Sequence, residues 1–344
     1  MNEVRLAFIG FGNVAQGFTQ ILLEHGAQFE RRRGLKFLIT AIADPLKGSA
    51  FDPDGLPPAD LLDAVQKTGS LHSLPGSHPD WDAMEMIQNS PADVVVEMSY
   101  TNLQTGEPAT THIAEALRRK RHVITTNKGP IALHWDELAD LAHRHGVEIG
   151  VEGTVMSGTP VLRVGRELIH SAGILRIQGI LNGTTNFILS KMESGCTYAE
   201  ALAEAQALGY AEADPTGDVE GYDAAAKIAI LARLVLRQSV PFTDIERQGI
   251  SQLTQEDITL AKRDQHFWKL VGTLDVTDGR VRAAVRPECL PGDHPLARVS
   301  GAANAVVYTT DLLGDVIIQG PGAGRLQTGY AILQDLFCIY RSKL

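Results

Sequence analysis

Cysteine is scarce in this chain, and what there is does not pair. Cys196, Cys289 and Cys338 are the whole complement of 344 residues, and no CxxC or CxxxC spacing occurs. That excludes a disulfide framework and a cysteine-rich zinc site, and it fits a reducing, cytoplasmic location. Cys338 reads as a small, inert residue. Long apolar runs are also missing: none reaches transmembrane length. The opening MNEVRLAFIG leads straight into a strand pattern, with no signal peptide in front of it. Basic charge is in deficit. Lys and Arg number 31 against 41 Asp and Glu, a net charge of -10. A general nucleic-acid or membrane-surface binder needs a basic face, so neither partner is expected. An anionic small ligand stays open, because backbone amides hold one locally. The histidines form no HExxH, and His143 and His145, two apart, do not share a helix face.

What the chain does have is an ordinary globular balance, 44% hydrophobic and 21% charged. Its length suits two domains. Val4 to Ile9 is a short β-type run. Gly10-Phe11-Gly12-Asn13-Val14-Ala15 follows, and then a helical pattern. This is strand, glycine turn, helix, with alanine at the third small position of GxGxxG/A. Gly10 makes the tight turn, Gly12 lets backbone approach a pyrophosphate, and Ala15 lets helix and strand pack closely. The bland alternative is an ordinary glycine turn. Further strand patterns favour the nucleotide reading: Phe37 to Ala43, Asp93 to Met98, His122 to Thr126 and Val147 to Val151, with helical stretches at 112–119 and 135–145 between them. Strands alternating with helices predict a Rossmann-type doubly wound parallel sheet.

Asp44 ends the second strand, where an acid hydrogen-bonds ribose hydroxyls and favours NAD. The run Arg31-Arg32-Arg33 and Lys47 are the competing candidates for holding a 2′-phosphate, so NAD and NADP both stay open. Ser99, Thr101 and Asn102 follow the strand DVVVEM at its carboxyl end, where α/β sheets bind ligands.

The texture changes after Val151. Glu152 to Pro160 is a loop of small residues, and ILNGTTN (180–186) is a second polar turn. GYAEADPTGDVEGYDAAAK (209–227) gathers five carboxylates, Glu212, Asp214, Asp218, Glu220 and Asp223, ahead of Lys227. A helix is expected from about Asp223, with Asp223 and Lys227 one turn apart on one face. A solvated acidic loop with a surface ion pair is the plain reading. Against it, Lys227 sits in AAAKIAILA, which predicts a partly buried lysine with a partner, suited to relaying a proton. A calcium loop is rejected, because the EF-hand order is absent. A cluster that grips a substrate ammonium while the lysine handles a hydroxyl proton fits as well.

With those stretches, TTNKGPIAL (125–133) and GPGAG (320–324), the chain resembles homoserine dehydrogenase over nearly its whole length, closest to the short form without a C-terminal regulatory domain. The resemblance implies NAD(P)-dependent interconversion of L-aspartate 4-semialdehyde and L-homoserine, in threonine, methionine and isoleucine biosynthesis. It implies Lys227 as the catalytic lysine, Asp223 as the acid contacting it and the substrate, and Lys128 as a lysine set between cofactor and substrate. Glu212 would bind the substrate amino group, Asp218 and Tyr210 would line the pocket, and Gly183 with Thr184 would hold the substrate carboxylate. Gly10, Phe11, Gly12, Asn13, Val14, Asp44, Ser99, Thr101, Lys128, Gly209, Gly322 and Gly324 would contact the cofactor. Glu152, Val155, Ser157 and Thr159 would hold Na+ or K+, mostly through backbone oxygens. A dinucleotide-binding domain of residues 1–134 and 320–344 is expected, with an α+β catalytic and dimerisation domain of 135–319 that makes the protein a homodimer. The alternatives are another NAD(P)-dependent amino-acid dehydrogenase, or a nucleotide-binding regulator without catalysis. Retention of both Lys227 and Asp223 weighs against the latter.

Overall fold

The computed structural model describes residues 2–76 and 81–341. The chain divides into two compact units, Met1–Gly158 with Gly324–Leu344, and Thr159–Ala323. Both boundaries therefore differ from those expected at 134/135 and 319/320. The first expected cut falls inside a helix, and the chain then adds one more strand to the first sheet. The second falls inside a strand that is still paired.

The first unit holds β1 (Asn2–Ile9), α1 (Asn13–Arg33), β2 (Leu35–Asp44), β3 (Gly48–Phe51), α2 (Pro58–Thr68), α3 (Ala83–Asn89), β4 (Val94–Glu97), α4 (Ala109–Arg118), β5 (His122–Thr125), α5 (Lys128–His145) and β6 (Ile149–Gly150). The sheet order is β3-β2-β1-β4-β5-β6, the order of dinucleotide-binding folds, whose ligand crevice lies where β1 and β4 part. Pairings are parallel except β2–β3, which is antiparallel. The reversal has a local cause: Pro45 to Lys47 turn the chain back on β2, and Gly48 at φ 89° completes the turn. The valines of β4, Val94 to Val96, are buried on both faces because both are covered. Leu6, Phe8, Val94, Val96 and Ile124 pack on one side with Phe18 of α1. Ala7, Ile9, Val95 and Val123 pack on the other with Ile113, Leu117 and Leu138.

The second unit starts with a helical turn, α6 (Val161–Arg163). It continues with β7 (Ile174–Ile180), α7 (Gly183–Glu193), α8 (Tyr198–Ala207), α9 (Thr216–Val219), α10 (Tyr222–Leu234), β8 (Glu246–Arg247), α11 (Gln255–Arg263), β9 (His266–Thr277), β10 (Arg280–Pro291), β11 (Ala303–Thr310) and β12 (Gly314–Pro321). Its sheet order is β12-β11-β7-β9-β10-β8. Pairing is antiparallel apart from β8–β10. Gly272 of β9 lets α10 lie close on the sheet: a Cβ there would meet Ile228 Cγ1 at 2.7 Å. That contact sets the height of the helix that carries Lys227.

The chain then returns to the first unit as α12 (Arg325–Ile339). α12 crosses α1 at glycines. A Cβ on Gly17 would fall 2.1 Å from Arg325 O, and one on Gly329 would fall 2.6 Å from Phe18 N.

Candidate active site

In the second unit the turn between β7 and α7 meets the start of α10. Asn182 caps α7: its Oδ1 accepts from the Thr185 amide at 2.9 Å. Its Nδ2 donates to Asp218 Oδ1 at 2.7 Å and to Asp223 Oδ2 at 2.9 Å. One amide thus ties two carboxylates together. Lys227 Nζ donates to the same Asp223 oxygen at 2.7 Å and to Leu181 O at 2.6 Å. Its neighbours Ala224, Ala225, Ala226 and Ile228 are buried, and Lys227 itself is only 8% exposed. Charge-assisted bonds of this length hold the ammonium group in one place. Burial pushes the Asp218 carboxyl above its ordinary value and the neighbouring Asp223 adds to the rise, while Asn182 and Lys227 oppose it.

The structure splits the five carboxylates. Asp218 and Asp223 join the lysine; Glu212 and Asp214 are exposed. Asp214 binds the Thr216 hydroxyl and amide, which hold its carboxyl below the ordinary value. Glu212 makes no side-chain hydrogen bond or ion pair among the described residues, and its backbone oxygen accepts from Gln206. Glu220 takes Arg247 on its backbone oxygen. Thr184, nearly buried in the first turn of α7, donates its hydroxyl to Tyr210 O at 2.7 Å. The Tyr210 ring packs on Phe187 with centroids 5.0 Å apart. Gly183 admits Ala302 O, which a Cβ would meet at 2.8 Å. Gly209 at φ 75° ends the α8 segment, and Gly322 lies flat against Asn304.

In the first unit the glycine turn fits a dinucleotide. Gly10 has φ 92°, and a Cβ there would strike Met98 O at 2.7 Å. Gly12 precedes α1 and has nothing within 4 Å of where a Cβ would stand. No side chain caps that helix start, so the amides of Asn13 and Val14 face outward with the positive dipole end. An open glycine face before an uncapped helix is the shape a pyrophosphate needs. Asp44 Oδ2 accepts from the Phe11 amide at 2.7 Å, and its Oδ1 takes the amides of Leu46 and Lys47. The arginine run is disposed of. It forms the last turn of α1, roughly 30 Å from the glycine turn at 1.5 Å per residue. The segment lengthens the helix and does not fold back. Lys47 stays beside Asp44. Ser99 and Thr101 follow β4, Lys128 opens α5, and Gly324 at φ 135° opens α12.

The 152–159 loop is strained. Met156 and Ser157 both adopt left-handed φ, 55° and 57°, a costly conformation for consecutive non-glycine residues. Glu152 and Val155 are buried, and Ser157 Oγ shares a hydrogen bond with Thr328. Thr159 belongs to the second unit and donates its hydroxyl to Pro321 O. Among the described residues no group of three or more His, Cys, Asp or Glu is placed to hold a metal.

Sequence reasoning missed several residues. Asn182 stood inside a motif and was signalled only by its position before a helix. Arg247, whose guanidinium lies 3.5 Å over the Tyr222 ring and which donates to Glu220 O, fixes the turn into α10. Nothing local marks it. Gly17 and Gly329 likewise look like ordinary helix glycines.

A dinucleotide-binding sheet and a separate unit carrying a buried lysine–carboxylate cluster define an NAD(P)-dependent oxidoreductase that acts on a CH–OH group. Residues 10–152 match the family model for the NAD binding domain of homoserine dehydrogenase, and residues 160–337 match that for homoserine dehydrogenase itself. The chain belongs to the homoserine dehydrogenase family. It is 44% identical to an NAD(+)-dependent homoserine dehydrogenase of Pseudomonas canavaninivorans, covering 99% of this chain and 97% of that one. It is 40% identical to the Methanocaldococcus jannaschii homoserine dehydrogenase, covering 98% of each. Among solved structures, a homoserine dehydrogenase from Thiobacillus denitrificans superposes with TM-score 0.86 at 32% identity, over 100% of this chain and 74% of that one. A hyperthermophilic archaeal homoserine dehydrogenase in complex with NADPH gives 0.85 at 29% identity, over 99% and 98%. No helix among the described residues is long and apolar enough to cross a membrane.

Proposed function

We propose that this enzyme interconverts L-aspartate 4-semialdehyde and L-homoserine with Lys227 as the proton donor and acceptor, in threonine, methionine and isoleucine biosynthesis. The observation that carries this is the placement of Lys227: Nζ is held by Asp223 Oδ2 and Leu181 O near the start of a buried helix. In the reductive direction the aldehyde oxygen takes that proton while its carbon takes hydride, leaving a primary alcohol and a neutral lysine. In the oxidative direction Lys227 takes the hydroxyl proton. The nicotinamide nucleotide supplies or accepts the hydride when bound.

Homoserine is a zwitterion, and the second unit offers a partner for each end. The exposed Glu212 and the half-buried Asp218 take the ammonium. The first turn of α7, Gly183 and Thr184, takes the carboxylate, since its amides lack intrahelical acceptors. Tyr210 walls the pocket. The cofactor is held by Gly10 to Val14, Asp44, Ser99, Thr101 and Lys128, with Gly324 as a close-approach glycine. An acid locked by three backbone amides at the end of β2 repels a 2′-phosphate, so the preferred nucleotide is NAD. The similarity to an NAD(+)-dependent relative supports this.

The strained turn at Met156 and Ser157 supports a structural Na+ or K+ held by backbone oxygens of Glu152, Val155, Ser157 and Thr159. The exposed edge strand β12, with Ile317 half exposed, supports a homodimer formed through the second sheet. The location is cytoplasmic.

The direct test is absorbance at 340 nm with purified protein, L-homoserine and NAD+ or NADP+ in separate cuvettes at alkaline pH. A rise, larger with NAD+, is expected. No rise in either, with L-aspartate 4-semialdehyde reduction also absent in folded protein, would overturn the reading.

A further inference from the structure

Glu97 is a fully buried carboxylate in the middle of the nucleotide-binding sheet. It ends β4 after three valines, where a fourth apolar residue would satisfy packing. Burying a carboxylate is expensive unless its oxygens are well used. Here they are. Oε1 accepts the Ser99 amide at 3.2 Å and the Ser99 hydroxyl. The Thr125 hydroxyl is shared between the Glu97 backbone oxygen at 3.1 Å and Oε2 at 3.3 Å, and His112 of α4 lies 3.7 Å from Oε1.

The bonds continue outward from the carboxylate. Thr125 Oγ1 accepts the Asn127 amide at 3.0 Å. Asn127 Nδ2 reaches Ser99 O and Tyr100 O at 3.3 and 2.9 Å, and its Oδ1 caps α5 through the Gly129 amide. The exit from β4 also lies on the glycine turn: a Cβ on Gly10 would sit 3.1 Å from Ser99 N. Asn102 O packs on Gly129, where a Cβ would meet it at 2.4 Å. One side chain therefore anchors the exits of β4 and β5, the first turn of the helix that Lys128 opens, and the segment lying against the phosphate turn. These are the carboxyl ends of strands, where such sheets bind their ligand.

We propose that Glu97 is a positioning residue for the nucleotide: acting through Ser99 and through Thr125 and Asn127, it holds the two strand exits in the shape that receives the cofactor. The proposal rests on the nucleotide-binding reading of the first unit. A preorganised site loses affinity when its support is removed, even though the support touches no ligand.

The test measures NADH affinity by fluorescence quenching, and steady-state kinetics, for Glu97→Gln, Thr125→Val and the double variant. Glu97→Gln should weaken NADH binding at least fivefold and lower kcat, while the KM for L-homoserine stays within about twofold. Thr125→Val, which keeps the carboxylate and the shape of the side chain, should weaken NADH binding in the same direction by a smaller factor. The double variant should be no worse than Glu97→Gln, because both act on one network. If Glu97→Gln fails to fold, Thr125→Val alone carries the test. NADH affinity unchanged in the folded variants overturns the proposal, as do losses that simply multiply in the double variant or that fall equally on the homoserine KM. Wild-type protein whose tryptophan fluorescence does not change with NADH overturns the nucleotide reading itself, and the proposal with it.

Discussion

Lys227 and Asp223, one helical turn apart on α10, share a 2.7 Å ion pair whose carboxylate oxygen also takes a hydrogen bond from Asn182. That arrangement fixes where the lysine nitrogen points. Lys227→Ala should lower kcat by about 10²–10⁴-fold, the range of general acid–base contributions. NADH affinity should stay within about twofold of wild type. A variant that loses nucleotide affinity along with turnover would place the lysine elsewhere in the mechanism.

Asp218 is held against its own charge. Burial and Asp223 raise its carboxyl above the ordinary 3.8. Below that value it is protonated in both folded and unfolded chains and costs nothing. As pH rises past 3.8 and through the raised folded value, the unfolded chain ionises first, and stability is lost. Asp218→Asn keeps the oxygen that Asn182 binds and removes the charge. It should melt higher than wild type at pH 7, with the difference shrinking towards pH 4, and it should raise the homoserine KM. Thermal melts at the two pH values decide this: equal melting temperatures at pH 7 would contradict the assigned strain.

On the proposed reading, Asp44 separates the two nucleotides by charge. Asp44→Asn should lower kcat/KM for NAD+ and raise it for NADP+, changing their ratio by roughly tenfold or more, about 1.4 kcal/mol or above. The two kcat/KM values of the variant provide the check, and an unchanged ratio would assign the preference to Lys47 or another group.

Gly17 has no room for a methyl group. With its Cβ position 2.1 Å from a backbone oxygen of α12, Gly17→Ala should destabilise the protein by about 1–3 kcal/mol, the usual cost of overpacking. Urea denaturation measures it. A neutral or stabilising result would mean that the α1–α12 crossing can slide.

Much of the fold was legible because its signals are local. The turn Gly10 to Ala15 between an apolar strand and a helix is read from six residues. The strands at 37–43 and 93–98 show as short apolar runs. Boundaries and orientation were less legible. β3 runs antiparallel because of a turn at Pro45 to Gly48, and four residues at a sheet edge carry little periodicity. The arginine run was open to two readings until the continuous α1 placed it at the far end of the helix.

In the site, the sequence by itself determined that Asp223 and Lys227 share a helix face, since that follows from 3.6 residues per turn. It also pointed to a partly buried lysine, since its neighbours are alanines and isoleucines. From periodicity it could not tell which of the other four acids would join them. Tertiary structure decided that, through Asn182, 36 and 41 residues from the two acids it binds. Tertiary structure alone also set α12 across α1 at Gly17 and Gly329 and gave Glu97 its partners. Hydrogen bonds of that kind depend on where distant segments come to rest, and local periodicity carries no record of it.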